Sequence, residues 1–154
     1  MIESQNILVI DSRFYEDISD QLCKGAIAVL DREGAPYETI SVPGTFEIPA
    51  AVRFAIRSME VRSAVSGYAG FIVLGCVIRG ETDHYEHISR QTCRALMDLS
   101  VNYSIAMGFG ILTCENHEQA MDRAAVDRMN KGADAANACL RMIELKKTLR
   151  LVLR

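Results

Sequence analysis

Short apolar runs rich in branched residues alternate along this chain with segments whose apolar residues recur at helical spacing, and nothing else in the sequence constrains the fold so strongly. The run Asn6-Ile7-Leu8-Val9-Ile10 reads as a buried strand. Ile18, Leu22, Ala26, Val29 and Leu30 then share one helical face, which Gly34 and Pro36 end. A weaker strand over residues 38–42 stops at Pro43-Gly44. The spacing predicts a helix over 48–59, with Pro49 tolerable only in its first turn. The most apolar strand covers 70–78, and a helix over about 85–103 follows it. A fourth strand over 105–112 is weakened by Gly108 and Gly110. Asn116 with Gln119 has the form of a capping pair for a helix running to about Arg128. Asn130-Lys131-Gly132 is read as a break before a last helix over 133–149, whose basic end, Lys146, Lys147 and Arg150, suits its dipole. Alternating βα units need crossovers, so the expected fold is α/β, a mostly parallel sheet covered by helices on both faces, in one domain spanning 1–154.

Composition removes several function classes. With a net charge of −3 and scattered Lys and Arg, the chain has no basic footprint for nucleic acid. No apolar run approaches the roughly 18 to 20 residues of a membrane span. Residues 1–4 carry neither a basic leader nor an apolar core, so a cytoplasmic location is expected. The five cysteines are odd in number and contain no C-x-x-C pair, which argues against a zinc site or a disulfide framework.

Ligands of parallel sheets gather at the carboxyl ends of the strands, here residues 11–15, 43–47, 79–84 and 113–117. Gly75 to Thr82 reads G-C-V-I-R-G-E-T, a near miss to a P-loop. Glu81 stands in the lysine's place and would repel a triphosphate. A turn at Gly80 could hold one small phosphate through N–H groups, or need glycine only for its backbone angles. His84 opens the next helix, whose N-terminus disfavours imidazolium; the ring is either a base near neutral pH or a plain surface residue. His84 with His87 has no third ligand nearby, so no metal is expected. Phe14 either closes the core or offers its face to a flat heterocycle. Glu47 either complements a helix dipole or accepts from ligand hydroxyls. Arg123 and Lys131 fit no site built by one chain, since a helix carries Arg123 roughly 10 Å from the strand end. They are solvated charges, or they serve a neighbour's site.

Six stretches together resemble the lumazine synthase family: Ser12-Arg13-Phe14; Val42-Pro43-Gly44-Thr45-Phe46-Glu47-Ile48-Pro49; Val77-Ile78-Arg79-Gly80-Glu81-Thr82-Asp83-His84; Phe109-Gly110-Ile111-Leu112-Thr113; Glu118-Gln119-Ala120 with Arg123-Ala124; and Asn130-Lys131-Gly132. They stand in the family's order and span nearly the whole chain. The resemblance implies a three-layer, flavodoxin-like α/β/α sandwich on a four-stranded parallel sheet, assembled at least into pentamers. It implies condensation of 5-amino-6-(D-ribitylamino)uracil with 3,4-dihydroxy-2-butanone 4-phosphate to 6,7-dimethyl-8-ribityllumazine, phosphate and water, without metal or organic cofactor. Carried over by position, Phe14 stacks on the pyrimidine, while Thr45, Phe46 and Glu47 hold the ribityl chain. Val77 and Ile78 line the pyrimidine pocket, Gly80, Glu81 and Thr82 form the phosphate turn, and His84 moves protons. From the adjacent subunit, Phe109 closes the pocket, Arg123 pairs with the phosphate and Lys131 reaches the pyrimidine edge.

Two departures from the family pattern bear on these expectations. Where the family often has Ile-Pro-Val-Ile-Phe-Gly, this chain has Ile105-Ala106-Met107-Gly108-Phe109-Gly110, and Gly108 is read as removing an apolar wall of the pocket. Only five residues precede the first strand, so a pentamer or a pair of pentamers is expected over a sixty-subunit shell. The other class weighed is a non-catalytic flavin or lumazine carrier, which would share Phe14 and the ribityl contacts but not need His84, Arg123 and Lys131.

Overall fold

A computed structural model describes residues 5–61 and 67–151. Residues 1–4, on which the expectation of no export leader rested, lie outside them. Four strands, β1 (Asn6–Ser12), β2 (Tyr37–Val42), β3 (Tyr68–Ile78) and β4 (Met107–Cys114), form an all-parallel sheet in the order β2-β1-β3-β4. Five helices connect or follow them: α1 (Glu16–Arg32), α2 (Ile48–Glu60), α3 (His84–Asn102), α4 (His117–Ala124) and α5 (Lys131–Thr148). One core layer joins Ile7 and Val9 of β1 and Ile72 and Leu74 of β3 to the buried faces of α1, α4 and α5. The other joins Leu8 and Ile10, with Phe71 and Val73, to α2 and α3. The fold is thus the expected three-layer sandwich, and strand alternation feeds the two layers in turn.

Local chemistry accounts for most element ends. The predicted face of α1 is buried throughout, and Gly34, at φ 64°, takes the left-handed turn that ends it. Pro49 occupies the first turn of α2, where no amide partner is lost. Asn116 Oδ1 accepts from Gln119 N at 2.8 Å, as the capping pair requires. The reciprocal bond differs: Gln119 Oε1 accepts from Glu115 N, not from the cap residue's own amide.

Four boundaries are corrected. Strand β1 runs two residues past Ile10, to Ser12, and strand β4 extends to Cys114. The helix expected to reach Arg128 stops at Ala124, because Ala125 turns to φ −58°, ψ 133° and Val126 N donates to Gln21 Oε1 of α1. Asn130-Lys131-Gly132 is not a break but the start of α5. Asn130 adopts the left-handed conformation before it, and Gly132 lies where a Cβ would strike the Leu22 carbonyl.

Gly108 is also corrected. Its bare face points not into a pocket but at α5, where a Cβ would run into the Ala135 carbonyl and close on Cys139. The glycine lets α5 lie directly on β4. Gly108→Ala is therefore expected to cost about 1–3 kcal/mol through overpacking. A lowered unfolding midpoint checks this, and a wild-type midpoint would count against the close approach.

Candidate active site

Between β1 and β3 the connections diverge, β1 leading outward to β2 and β3 to β4, so the carboxyl ends of the central strands are left parted. A cleft of about 650 Å³ opens there. Phe14, just beyond β1, forms one wall, and the turn after β2 forms a second with Thr45, Phe46 and Glu47. The end of β3 supplies the floor through Val77 and Ile78, and Gly80, Thr82 and His84 complete the far side. Nine of the expected residues thus meet in one cavity. Glu81 does not: it is exposed in the turn and lies outside the lining.

The arms of this cleft are held by their own hydrogen bonds. Residues Thr45–Glu47 wind into a single 3-10 turn ahead of α2. Thr45 is buried, its hydroxyl 3.2 Å from Ser12 Oγ and 3.5 Å from the Cys76 carbonyl, so it is tied to both central strands. At the opposite side, Thr82 Oγ1 accepts from His84 N at 3.3 Å, and the His87 ring lies 3.1 Å from Asp83. Arg79 pins the intervening turn. It reaches Glu115 at 2.9 Å and Glu86 at 3.4 Å, and lies 4.6 Å over the Tyr85 ring.

Sequence reasoning missed Arg79's clamp, and it missed Tyr15, Cys76, Tyr85, His87, Ile88 and Gln91 as walls. The helical positions among them follow from spacing: His84, His87, Ile88 and Gln91 recur at three and four residues along α3, so they share the face that looks into the cleft.

Phe109, Arg123 and Lys131 are elsewhere. They line a second depression of about 430 Å³ on the outer margin of β4, together with Thr113 and Asp134. The two cavities share no residue. Lys131 Nζ lies 3.2 Å from Asp134, whereas Arg123 donates only to the Gln119 carbonyl and has no carboxylate partner among the described residues. The main cleft, conversely, has no Lys or Arg in its lining. Three rings at the two cavities face water, Phe14 at 71 %, Phe46 at 61 % and Phe109 at 47 % exposure. No group of three or more His, Cys, Asp or Glu suited to a metal occurs among the described residues.

With this geometry in hand, comparison with known proteins is specific. Residues 4–147 match the family model of 6,7-dimethyl-8-ribityllumazine synthase. The chain is 51 % identical over 147 residues to the 6,7-dimethyl-8-ribityllumazine synthase of Bartonella tribocorum, covering 96 % of this chain and 93 % of that one. It is 47 % identical over 148 residues to 6,7-dimethyl-8-ribityllumazine synthase 1 of Rhizobium meliloti, covering 96 % and 95 %. The chain belongs to this family. The corresponding protein of Afipia carboxidovorans, 46 % identical over 148 residues, covers 96 % of this chain and 90 % of its own. Identity of this order over nearly the whole length leaves no large insertion to remodel the cleft.

Three thiols are protected. Burial pushes Cys23, Cys76 and Cys139 up to about 12. At pH 8 their thiolate is then about one part in ten thousand. Iodoacetamide is expected to spare these three in the folded protein while labelling all five in denaturant, as mass spectrometry of the peptides would read. The sign for stability follows: unfolded thiols ionise near 9 and the folded ones do not, so the unfolding midpoint falls as pH rises from about 9 toward 12. A midpoint flat across that window would contradict the burial.

Proposed function

We propose that the two depressions are halves of one active site, the cleft of one subunit closed by the β4 margin of the next, and that the family's condensation takes place between them. The chain is a transferase of riboflavin biosynthesis. It joins 5-amino-6-(D-ribitylamino)uracil to 3,4-dihydroxy-2-butanone 4-phosphate, giving 6,7-dimethyl-8-ribityllumazine, phosphate and water. One observation carries the shared-site reading: the cleft that can seat a ring and a polyol has no guanidinium or ammonium in its lining, and Arg123, without a carboxylate partner among the described residues, lines a separate depression beside Phe109 and Lys131. A phosphate dianion bound in an apolar cleft needs a cationic partner, and a second copy is the source at hand.

In this reading Phe14 stacks on the pyrimidine and Thr45, Phe46 and Glu47 hold the ribityl hydroxyls. Val77 and Ile78 line the ring's slot. Gly80, Glu81 and Thr82 present backbone N–H groups to the phosphate, which leaves the Glu81 carboxylate free to point outward. The neighbour's Arg123 pairs with the phosphate, Lys131 reaches the pyrimidine edge, and Phe109 closes the pocket. An aromatic amine attacks the ketone carbon and water is lost to form an imine. Removal of the proton on the adjacent carbon expels phosphate and leaves an enol, which tautomerises to a ketone. The ribitylamino nitrogen then closes the ring on that carbon with loss of a second water, and His84 takes and returns protons in these steps. Alignment of two reactive partners and neutralisation of phosphate charge supply most of the rate. A carrier without catalysis is not favoured, since it has no use for His84, Arg123 and Lys131.

The assembly we propose is a pentamer or a pair of pentamers. Support comes from exposed apolar side chains on α2 and α3, Phe54, Met97 and Val101, the last two on one helical face. A cytoplasmic location fits five cysteines that are all unpaired. Sedimentation giving a shell-sized particle would overturn the pentamer.

Arg123→Ala is expected to lower kcat/KM for the phosphorylated ketone about 100-fold, a loss typical of an unpaired buried charge. His84→Ala should slow turnover by about tenfold or less, beneath the usual range for an indispensable acid–base group. Steady-state assays of lumazine fluorescence read both, and near-normal activity of the Arg123 variant would sink the assignment. Unfolding and refolding Phe14→Ala and Arg123→Ala subunits together should restore activity that neither shows alone. Failure of the mixture, with oligomers formed, would place both residues in one subunit's site.

A further inference from the structure

One buried carboxylate outside the walls of the cleft ties together the two arms that carry Phe14 and the Thr45–Glu47 turn. Asp11 stands near the carboxyl end of β1, 5 % exposed and level with Ser41 of β2. Along that face β1 presents Ile7 and Val9 to the layer containing α1, so Asp11 takes the next place in an otherwise apolar row. Three donors converge on it: Ser41 Oγ at 2.5 Å, Arg13 Nη1 at 3.1 Å and Cys23 Sγ at 3.2 Å. Arg13 continues to Asp20 of α1 at 2.5 Å, and its backbone N–H donates to the Val42 carbonyl at 3.2 Å. None of Asp11, Arg13, Asp20, Cys23 or Ser41 lines the cleft.

Stability alone is a weak reason for this arrangement. A buried, paired carboxylate gains little over an apolar side chain of similar size, which here would simply continue the row. What the carboxylate supplies is direction. Arg13 immediately precedes Phe14, and Ser41 immediately precedes Val42-Pro43, where the chain leaves the sheet for the Thr45–Glu47 turn. We propose that Asp11 is a positioning residue: through Arg13 it fixes the reach of Phe14, through Ser41 the end of β2, and so it sets the spacing between ring face and polyol turn. This rests on the reading of the cleft given above, and it assigns Asp11 to the pyrimidine substrate, not to the phosphate.

Asp11→Asn keeps the shape and removes one of the two carboxylate charges that orient Arg13, the one that also holds Ser41. Its expected signature is a KM for the ribitylaminouracil raised about tenfold, with kcat and the KM for the phosphorylated ketone within about twofold of wild type. In a Phe14→Ala background the same change should raise that KM by only about threefold, since part of its effect passes through the missing ring. An unchanged pyrimidine KM overturns the inference. So does a loss spread evenly over kcat and both KM values that adds fully to Phe14→Ala, which marks a structural role only. Should Asp11→Asn not fold, Ser41→Ala removes just the β2 link and is expected to raise the pyrimidine KM about threefold; no change there overturns the inference too. Wild-type protein in the same assay separates the two levels. Absence of lumazine would defeat the functional reading and the inference together, whereas normal turnover with an indifferent Asp11 variant defeats the inference alone.

Discussion

Everything at the site follows from a parting of connections. Strand β1 hands the chain outward on one side and β3 on the other, so no crossover covers the carboxyl ends between them. Strands β1 and β3 stay paired as far as Asp11 and Leu74, so the crevice lies between the loops that diverge beyond them. The loops that leave those ends are short, and each is tethered by hydrogen bonds to a strand. Phe14, the Thr45–Glu47 turn and the Gly80 turn therefore face one another as consequences of strand order, with little left to loop flexibility.

The same strand order separates charge from shape. β4 is a margin of the sheet, and its outer side gathers Arg123 and Lys131 in a depression that shares no residue with the cleft. An apolar cleft lacking cations and a cationic margin lacking a cleft are each incomplete for a ligand that is both flat and anionic. Burying a guanidinium inside the cleft of one chain would carry a desolvation cost in every unliganded molecule. Placing it on a separate surface leaves the free cleft apolar and, in the assembly proposed above, would keep the cation solvated until the two surfaces meet.

Sequence reading succeeded where local chemistry decides. The unbroken apolar runs of β1 and β3, the buried stripe of α1, the Asn116 cap and Pro49 in a first turn are all determined within a few residues. It failed where a distant partner decides. Ala124-Ala125-Val126 has every local reason to continue a helix, and what stops it is Gln21, 105 residues away, taking the Val126 amide. Gly108 was legible as an unusual glycine, but its partner, the Ala135 carbonyl, belongs to a helix 27 positions on. The site divides the same way. Residues next to strand ends were found, while Arg79's clamp and the donors around Asp11 join segments that only the fold brings together.

Helix α4 spans eight residues, too few to persist without its Asn116 cap and the packing of Ala120 and Ala124. Amides in such a unit exchange with solvent through local opening, at a free energy well below that of melting the sheet. The wall that carries the guanidinium is thus the softer one. In the shared site proposed above, the slack would lie on the side that grips the anion, which must be let go after each turnover, while the side that aligns the rings would stay stiff.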